Sequence, residues 1–448
     1  MKLEWTPLEA ADANQPAVSA TWASLRIEIE EAGRSQSLTR VLDRVARTER
    51  REVYGTVLPL AEWIARCWHS LFSSHLVRPP QSASRHERAT FDSTHRWRAC
   101  GEGTAVPDAE FAPLDDMHVE CRWIGSSGDD SDEFERVLFL THGESVLVRK
   151  QLREVFADFV QGVLARLGDV APSDPRTVEL RSLWSTASDP SNADHAGVRL
   201  CARLGHHWWA LTVPERQKFA ARAQTPPNPI ADAGVELASG ISEWDVWHAE
   251  STEIWNRCVD AAPAPTQWRQ LRTSMSIDAV PGPTRSPWKR GWDAARELRE
   301  HARVPADQPW GAQEIVDAIG VDSVQLRNGN ARSILGWSAG RRPLIASPPR
   351  GTPTVRFAGV RDLYPLLFLG DPSRDFACVL SERIAGVLPV ANAFAAELLA
   401  PVERIRTEIA GRVRIDGDEL AEIADRVDAP LRCVRHQVVN HQLSTLVF

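Results

Sequence analysis

Arg361-Asp362-Leu363-Tyr364-Pro365 spans the five residues that a family resemblance, carried by the runs quoted next, aligns with a zinc-binding H-E-x-x-H motif. Two imidazoles one helical turn apart, with a carboxylate beside the first, make a zinc hydrolase centre in which the carboxylate is the general base. Here the first imidazole position holds a guanidinium, which has no lone pair to donate and repels a cation. The second holds a proline, which offers no ligand and is expected to kink or end the helix carrying it. Asp362 keeps a negative charge at the base position, one methylene shorter than glutamate. The nearest carboxylate upstream of Pro389 and Val390 is Glu382. Arg361, Asp362 and Pro365 thus read as a degenerate motif, with no catalytic residue, no metal and no cofactor assigned.

Downstream, Val390-Ala391-Asn392-Ala393-Phe394-Ala395-Ala396-Glu397-Leu398-Leu399-Ala400-Pro401 places one polar residue in an apolar helix that a proline terminates. Together with Arg356-Phe357-Ala358-Gly359-Val360 ahead of Arg361, this run resembles the ImmA/IrrE family of zinc endopeptidases. The family core runs roughly R-F-x-x-A-H-E-x-G-H, then an acidic ligand, then A-N-x-F-A-A-x-L-L-x-P. The stretch Gln313 to Val321 is similar to the helix that opens such domains. Ile334-Leu335-Gly336-Trp337 and Pro343-Leu344-Ile345-Ala346 are similar to its short strands. The resemblance covers residues 305–448. An ordinary amphipathic helix stopped by Pro401 is the plainer reading of the same run.

Active members of the family cleave repressors that control mobile elements, stress responses or phage defence. The resemblance therefore implies a pseudopeptidase: a bacterial, protein-binding or regulatory component whose groove engages an unidentified protein partner. Arg361, Asp362, Asn392 and Glu397 are the groove candidates, and Arg361 is expected to pair with Asp362 or a nearby acid. Two alternatives stand beside it. One is an active zinc endopeptidase with relocated ligands, involving His301, His436 or Glu382. The other is a DNA-binding regulator using the helix pair between Asp418 and Leu443, with Arg432 and Arg435 as contacts.

Other polar clusters favour structural roles. Thr141-His142-Gly143-Glu144-Ser145 reads as a polar hairpin turn. His206-His207-Trp208-Trp209 puts adjacent histidines on different faces of any regular element, which makes joint ligation awkward. Trp247-His248-Ala249-Glu250 contains H-x-E but lacks the P-C-x-x-C partner of zinc deaminases. Arg96 and Arg98 flank Trp97, which suits either anion recognition or, the favoured reading, a structural ion pair.

The elements that must position these residues define an α+β protein: an N-terminal α/β module, a helical middle and a C-terminal zincin-like domain of helices on a small sheet. The module spans 1–170. In it Leu25 to Ile29 reads as a strand, Val57 to Phe72 as a helix with proline in its first turn, and Phe111 to Leu114 with His118 to Ile124 as a hairpin. Val137 to Leu140 and Ser145 to Val148 read as a second strand pair, and the acidic tract Ser126 to Glu135 as a loop. Arg149 to Leu167 is an amphipathic helix. A linker, Gly168 to Pro175, leads to a Trp-rich middle at 176–303. Its helices are expected within Asp189 to Leu204, Ser242 to Val259 and Trp292 to Arg303.

A chain of 448 residues exceeds one ordinary core. With 43% hydrophobic and 25% charged residues it has the composition of a soluble globular protein, and no apolar run suits a membrane span. The start lacks the form of a signal peptide, so a cytoplasmic location is expected. A net charge of −8 weighs against broad nucleic-acid binding. The seven cysteines are scattered and never spaced as C-x-x-C, which reads as buried thiols. Seventeen tryptophans against two tyrosines read as packing residues.

Overall fold

The computed structural model describes residues 1–448 other than 10–14, 32–33, 74–84, 101–105, 115–116, 127–136, 226–227, 236–240, 276–286, 306–307, 309–320, 326–332, 348–351, 381–386, 428 and 447–448. The chain is α+β and forms two compact units, Met1–Pro226 with Ser239–Ile241, and Pro227–Ala238 with Ser242–Phe448. The division falls inside the helical middle read at 176–303. The stretch at 168–175 does not separate units, because the helices on either side of it share one core.

In the first unit, three small sheets surround a set of helices. Strands β1 (Lys2–Pro7), β2 (Trp22–Glu31), β3 (Arg34–Ser37) and β6 (Val53–Thr56) form one, with β2 pairing with the other three antiparallel. The expected hairpin is present as β7 (Asp108–Pro113) and β8 (His118–Ile124), and β10 (Gly143–Val148) extends it. The other expected strand pair is not. Strand β9 (Val137–Phe139) joins β4 (Val41–Asp43), which also pairs with β5 (Thr48–Arg50). The backbone after β9 follows the earlier chain: Leu140 N–H donates to Arg40 O at 2.9 Å and Thr141 Oγ1 donates to Ser37 O at 3.0 Å. Local alternation names a strand; it does not name its partner.

The helices of this unit are α1 (Pro16–Ala20), α2 (Leu58–Ser73), α3 (Arg85–His95), α4 (Arg149–Val170), α5 (Pro175–Ser188), α6 (His195–Arg203) and α7 (Val213–Ala223). The expected amphipathic face of α4 buries Leu152, Phe156, Phe159, Val160 and Val163. Helix α5 starts on Asp174, whose carboxylate accepts the Arg176 N–H at 2.9 Å, with Pro175 in the first turn. Residues 189–194, ahead of α6, are not helical. Tryptophans close the core as read: Trp97 lies 4.9 Å from Phe111 and Trp68 meets Trp184 edge-on at 4.9 Å. The favoured structural reading of Arg96 holds, since its Nε and Nη2 grip Asp108 at 3.2 and 2.7 Å.

The second unit begins with α8 (Pro229–Ala233), α9 (Ile241–Asp260), α10 (Thr266–Ser274) and α11 (Pro287–Ala302). A four-stranded sheet follows, in the order β11 (Asp322–Gln325), β13 (Leu344–Ser347), β12 (Ser333–Trp337), β14 (Phe376–Leu380). β11 and β13 are parallel; the other two pairings are antiparallel. The two strands expected near 334 and 343 are β12 and β13. The helix expected at Gln313 to Val321 lies outside the described residues. Helices α12 (Thr352–Phe368) and α13 (Val387–Leu399) pack with this sheet into one core that includes Leu335, Trp337, Leu363, Tyr364, Phe394 and Leu398. A second cluster gathers α14 (Val402–Ile409), α15 (Gly417–Val427) and α16 (Leu431–Asn440) around Ile405, Ile423 and Val434. Strands β15 (Arg414–Ile415) and β16 (Thr445–Leu446) pair in parallel beside it.

Helices α11 and α13 approach closely at Gly291. A Cβ there would collide with the Val390 carbonyl and lie 2.7 Å from Ala393 Cβ and 2.8 Å from Phe394 N. Two of those are backbone atoms, which cannot yield without moving the helix. Gly291→Ala is therefore expected to destabilise the protein by about 1–3 kcal/mol in urea unfolding, against a helix-propensity gain of under about 1 kcal/mol.

All seven cysteines are free thiols, and only Cys100 is not fully buried. Burial raises the Cys67 and Cys121 thiols and pushes Cys201 and Cys258 up to about 12. His69 is also buried, on α2, edge-on to His195 at 5.0 Å. Burial first, then His195, Arg199 and Arg153, lower it to about 3. Its folded value lies below the unfolded one, so the neutral ring is fully accommodated above pH ~6.5 and stability falls as pH drops below that. At pH 5 the loss from His69 alone is expected to be about 2 kcal/mol, and His69→Leu should flatten that part of the unfolding profile between pH 7 and 5.

Candidate functional site

Helix α12 carries Arg361, Asp362 and Pro365 beneath the sheet. Arg361 Nε and Nη2 both donate to Asp362 Oδ1, at 3.0 and 2.8 Å, and Nη2 reaches Ser333 Oγ on β12 at 3.4 Å. The carboxylate side chain is 2% exposed and the guanidinium 16%. Two adjacent residues on a helix point in different directions, so this contact requires the long arginine side chain to fold back along its own helix. The pairing expected of Arg361 is the one observed. A positive group bonded to a buried carboxylate leaves that oxygen engaged by N–H donors, which is the opposite of an open ligand.

Pro365 does not end the helix, contrary to the expectation from its ring. Helix α12 runs on to Phe368, and Leu369 N–H donates to Pro365 O at 3.0 Å. The missing N–H forfeits the bond to the Arg361 carbonyl, one turn back, and the helix ends three residues further on. Burial of the surrounding side chains holds the turn: Tyr364 and Phe368 stack on each other at 5.4 Å and meet Phe394 of α13 at 5.5 and 5.4 Å. These aromatic contacts lock α12 to α13.

Helix α13 is the run Val390 to Leu399 that stood out in the sequence, beginning at Val387 and ending at Leu399; Pro401 caps α14 instead of merely stopping α13. Asn392 is partly buried on this helix. Glu397 is 3% exposed and joins a different group from Arg361. It accepts from Arg296 Nε of α11 at 3.1 Å and from Gln437 Nε2 of α16 at 2.6 Å. Burial raises its carboxyl above the usual range, opposed by Arg296 and Gln437. Next to it, Arg299, also buried, donates to the Leu398 carbonyl at 2.7 Å and to the Pro305 and Gln308 carbonyls. Glu397 therefore ties three helices together and does not line an open groove. The four groove candidates resolve into a helix-and-strand pair at Arg361 and Asp362, a partly buried Asn392, and an interhelical tie at Glu397.

His301 and His436, the histidines considered as relocated ligands, are both exposed, on α11 and α16; Glu382 lies outside the described residues. Among the described residues no three His, Cys, Asp or Glu side chains gather as metal ligands would. Two helices, α15 and α16, stand where the C-terminal helix pair was expected, with Arg435 exposed on α16 and the side chain of Arg432 outside the described set. Residues 401–448 hold seven arginines against eight carboxylates. Arg406, Arg412 and Arg426 are paired with Glu403, Glu419 and Glu408. Such self-neutralisation leaves little field for a phosphate backbone. Among the described residues no helix is long and apolar enough to cross a membrane.

No family model matches the chain, and no curated protein or solved structure matches it significantly.

The sequence did not point to Arg296, Arg299, Ser333 or Gln437. The one available signal was a pair of arginines on one helix, Arg296 and Arg299, whose spacing places both on one face. Removing the cation from the buried pair should be costly: Arg361→Met is expected to lose about 3–5 kcal/mol of stability because it strands a desolvated carboxylate. Urea unfolding should show Arg361→Met/Asp362→Leu recovering most of that loss; an equal loss in both variants would mean the pair is not coupled.

Proposed function

We propose that this protein is a pseudopeptidase, a protein-binding or regulatory component built on an ImmA/IrrE-like scaffold and working in a bacterial mobile-element, stress or phage-defence setting. The observation that carries the reading is the Arg361–Asp362 pair, closed onto Ser333 at the position where the resembled family presents its histidines. A guanidinium there opposes a divalent ion by charge, and the Asp362 oxygen it holds is already saturated by two N–H donors. A metal-dependent hydrolytic centre also needs a cation to lower the pKa of its bound water, and a guanidinium beside the carboxylate opposes one by charge. The regulatory half of the reading rests on the resemblance of residues 305–448 to a family that acts on repressors.

The test is metal content with its thermodynamic consequence. Protein purified from zinc-supplemented medium is expected to hold less than about one-tenth of a zinc per chain, and its Tm should be the same with zinc or EDTA. A ligand that binds only the folded state at 100 times its Kd would add about 2.7 kcal/mol. One tightly held zinc per chain, or repressor cleavage abolished by a chelator, would overturn the proposal in favour of relocated ligands.

A further inference from the structure

The first unit contains a cavity of about 560 Å³ between α2, α5 and the turn that follows α6. That volume falls in the range of small-molecule sites, roughly 300–1,000 Å³. Its apolar wall is Val178 and Leu183 from α5 with Trp209 from the turn; its polar groups include Arg66 from α2, Glu179 from α5 and His207. These residues bring the His206-His207-Trp208-Trp209 run, which has no role in the second unit, to one side of a concave surface.

Three observations bear on the sign of charge it suits. Arg66 Nη2 is bonded to Glu179 Oε1 at 2.8 Å, but the carboxylate side chain is 53% exposed and shares its charge with water. Arg216 lies over the Trp209 ring, 5.9 Å from its centroid, so a second cation stands behind the wall. Burial, then the Arg66 charge, hold His207 below the ordinary histidine range. Separately, His207 Nε2 and Trp209 Nε1 are buried with no hydrogen-bond partner. Neither atom is accessible to solvent, so both lie beneath the cavity wall and offer a ligand no contact.

We propose that this cavity binds a small organic anion, with a carboxylate, sulfonate or phosphate head on Arg66 and an aromatic-sized apolar body against Val178, Leu183 and Trp209. Glu179 competes with the ligand for Arg66, so it acts as a gate that the anion displaces. The proposal is independent of the pseudopeptidase reading, which concerns the other unit.

The experiment titrates the full chain with 8-anilinonaphthalene-1-sulfonate at neutral pH, following dye fluorescence and stoichiometry by calorimetry, with benzoate as a competitor. Saturable one-to-one binding is expected. Arg66→Gln should weaken it about tenfold or more, since a charge-assisted contact is lost. Glu179→Gln should tighten it about threefold, because the competing carboxylate is gone. Both side chains are partly solvent-exposed, and an unchanged Tm in each variant verifies the fold. Dye binding that is non-saturable, or unaltered by Arg66→Gln, would overturn the proposal as adventitious adsorption. The reversed pattern, weaker with Glu179→Gln and stronger with Arg66→Gln, would overturn it in favour of a cationic ligand.

Discussion

The second unit is organised by a missing methyl group. Because Gly291 has no Cβ, α11 can rest directly on the backbone of α13 at Val390 and Phe394. That contact sets the height of α13, and through it the positions of Phe394 against Tyr364 and Phe368 and of Glu397 between Arg296 and Gln437. Helix α12, with Arg361 and Asp362, is placed by those aromatic contacts. The polar chemistry of the unit is thus downstream of a packing constraint.

Two buried carboxylates then show different solutions to one problem. Asp362 has its own sequence neighbour as a charged partner, so that part of its compensation is local and moves with α12. Glu397 draws its donors from helices on both sides, so its compensation depends on α11, α13 and α16 staying together. Removing a charge from water costs several kcal/mol unless partners replace the lost hydration. The first arrangement tolerates a shift of the helix; the second resists one.

Much of this was legible in the residues, and the divide is physical. Short-range signals were sufficient for α13, with its apolar run and flanking proline, for β12 and β13, and for the Arg361–Asp362 pair, because a long arginine side chain can fold back onto its own neighbour. Long-range choices were not. Arg296 is 101 positions from Glu397 and Gln437 is 40 away, and nothing in a linear pattern selects those partners. Strand β9 is a short apolar run that reads as a hairpin arm, yet it pairs with β4, nearly a hundred residues earlier. Gly291 sits inside a helix where glycine is ordinarily unfavourable, and only the neighbouring helix explains it. Pro365 does not stop α12 at its own position, but the helix ends three residues later.

The thiols turn this architecture into its own reporter. Three fully buried cysteines fall in each unit: Cys67, Cys121 and Cys201 in the first, Cys258, Cys378 and Cys433 in the second. A protonated, enclosed sulfur reacts with an alkylating agent only when its surroundings open, because the thiolate is the nucleophile. The rate at which each sulfur is tagged is then a clock for the opening of its own neighbourhood. Peptide mapping after timed exposure would read two such clocks from one tube of unmodified protein, with no label introduced and no residue changed.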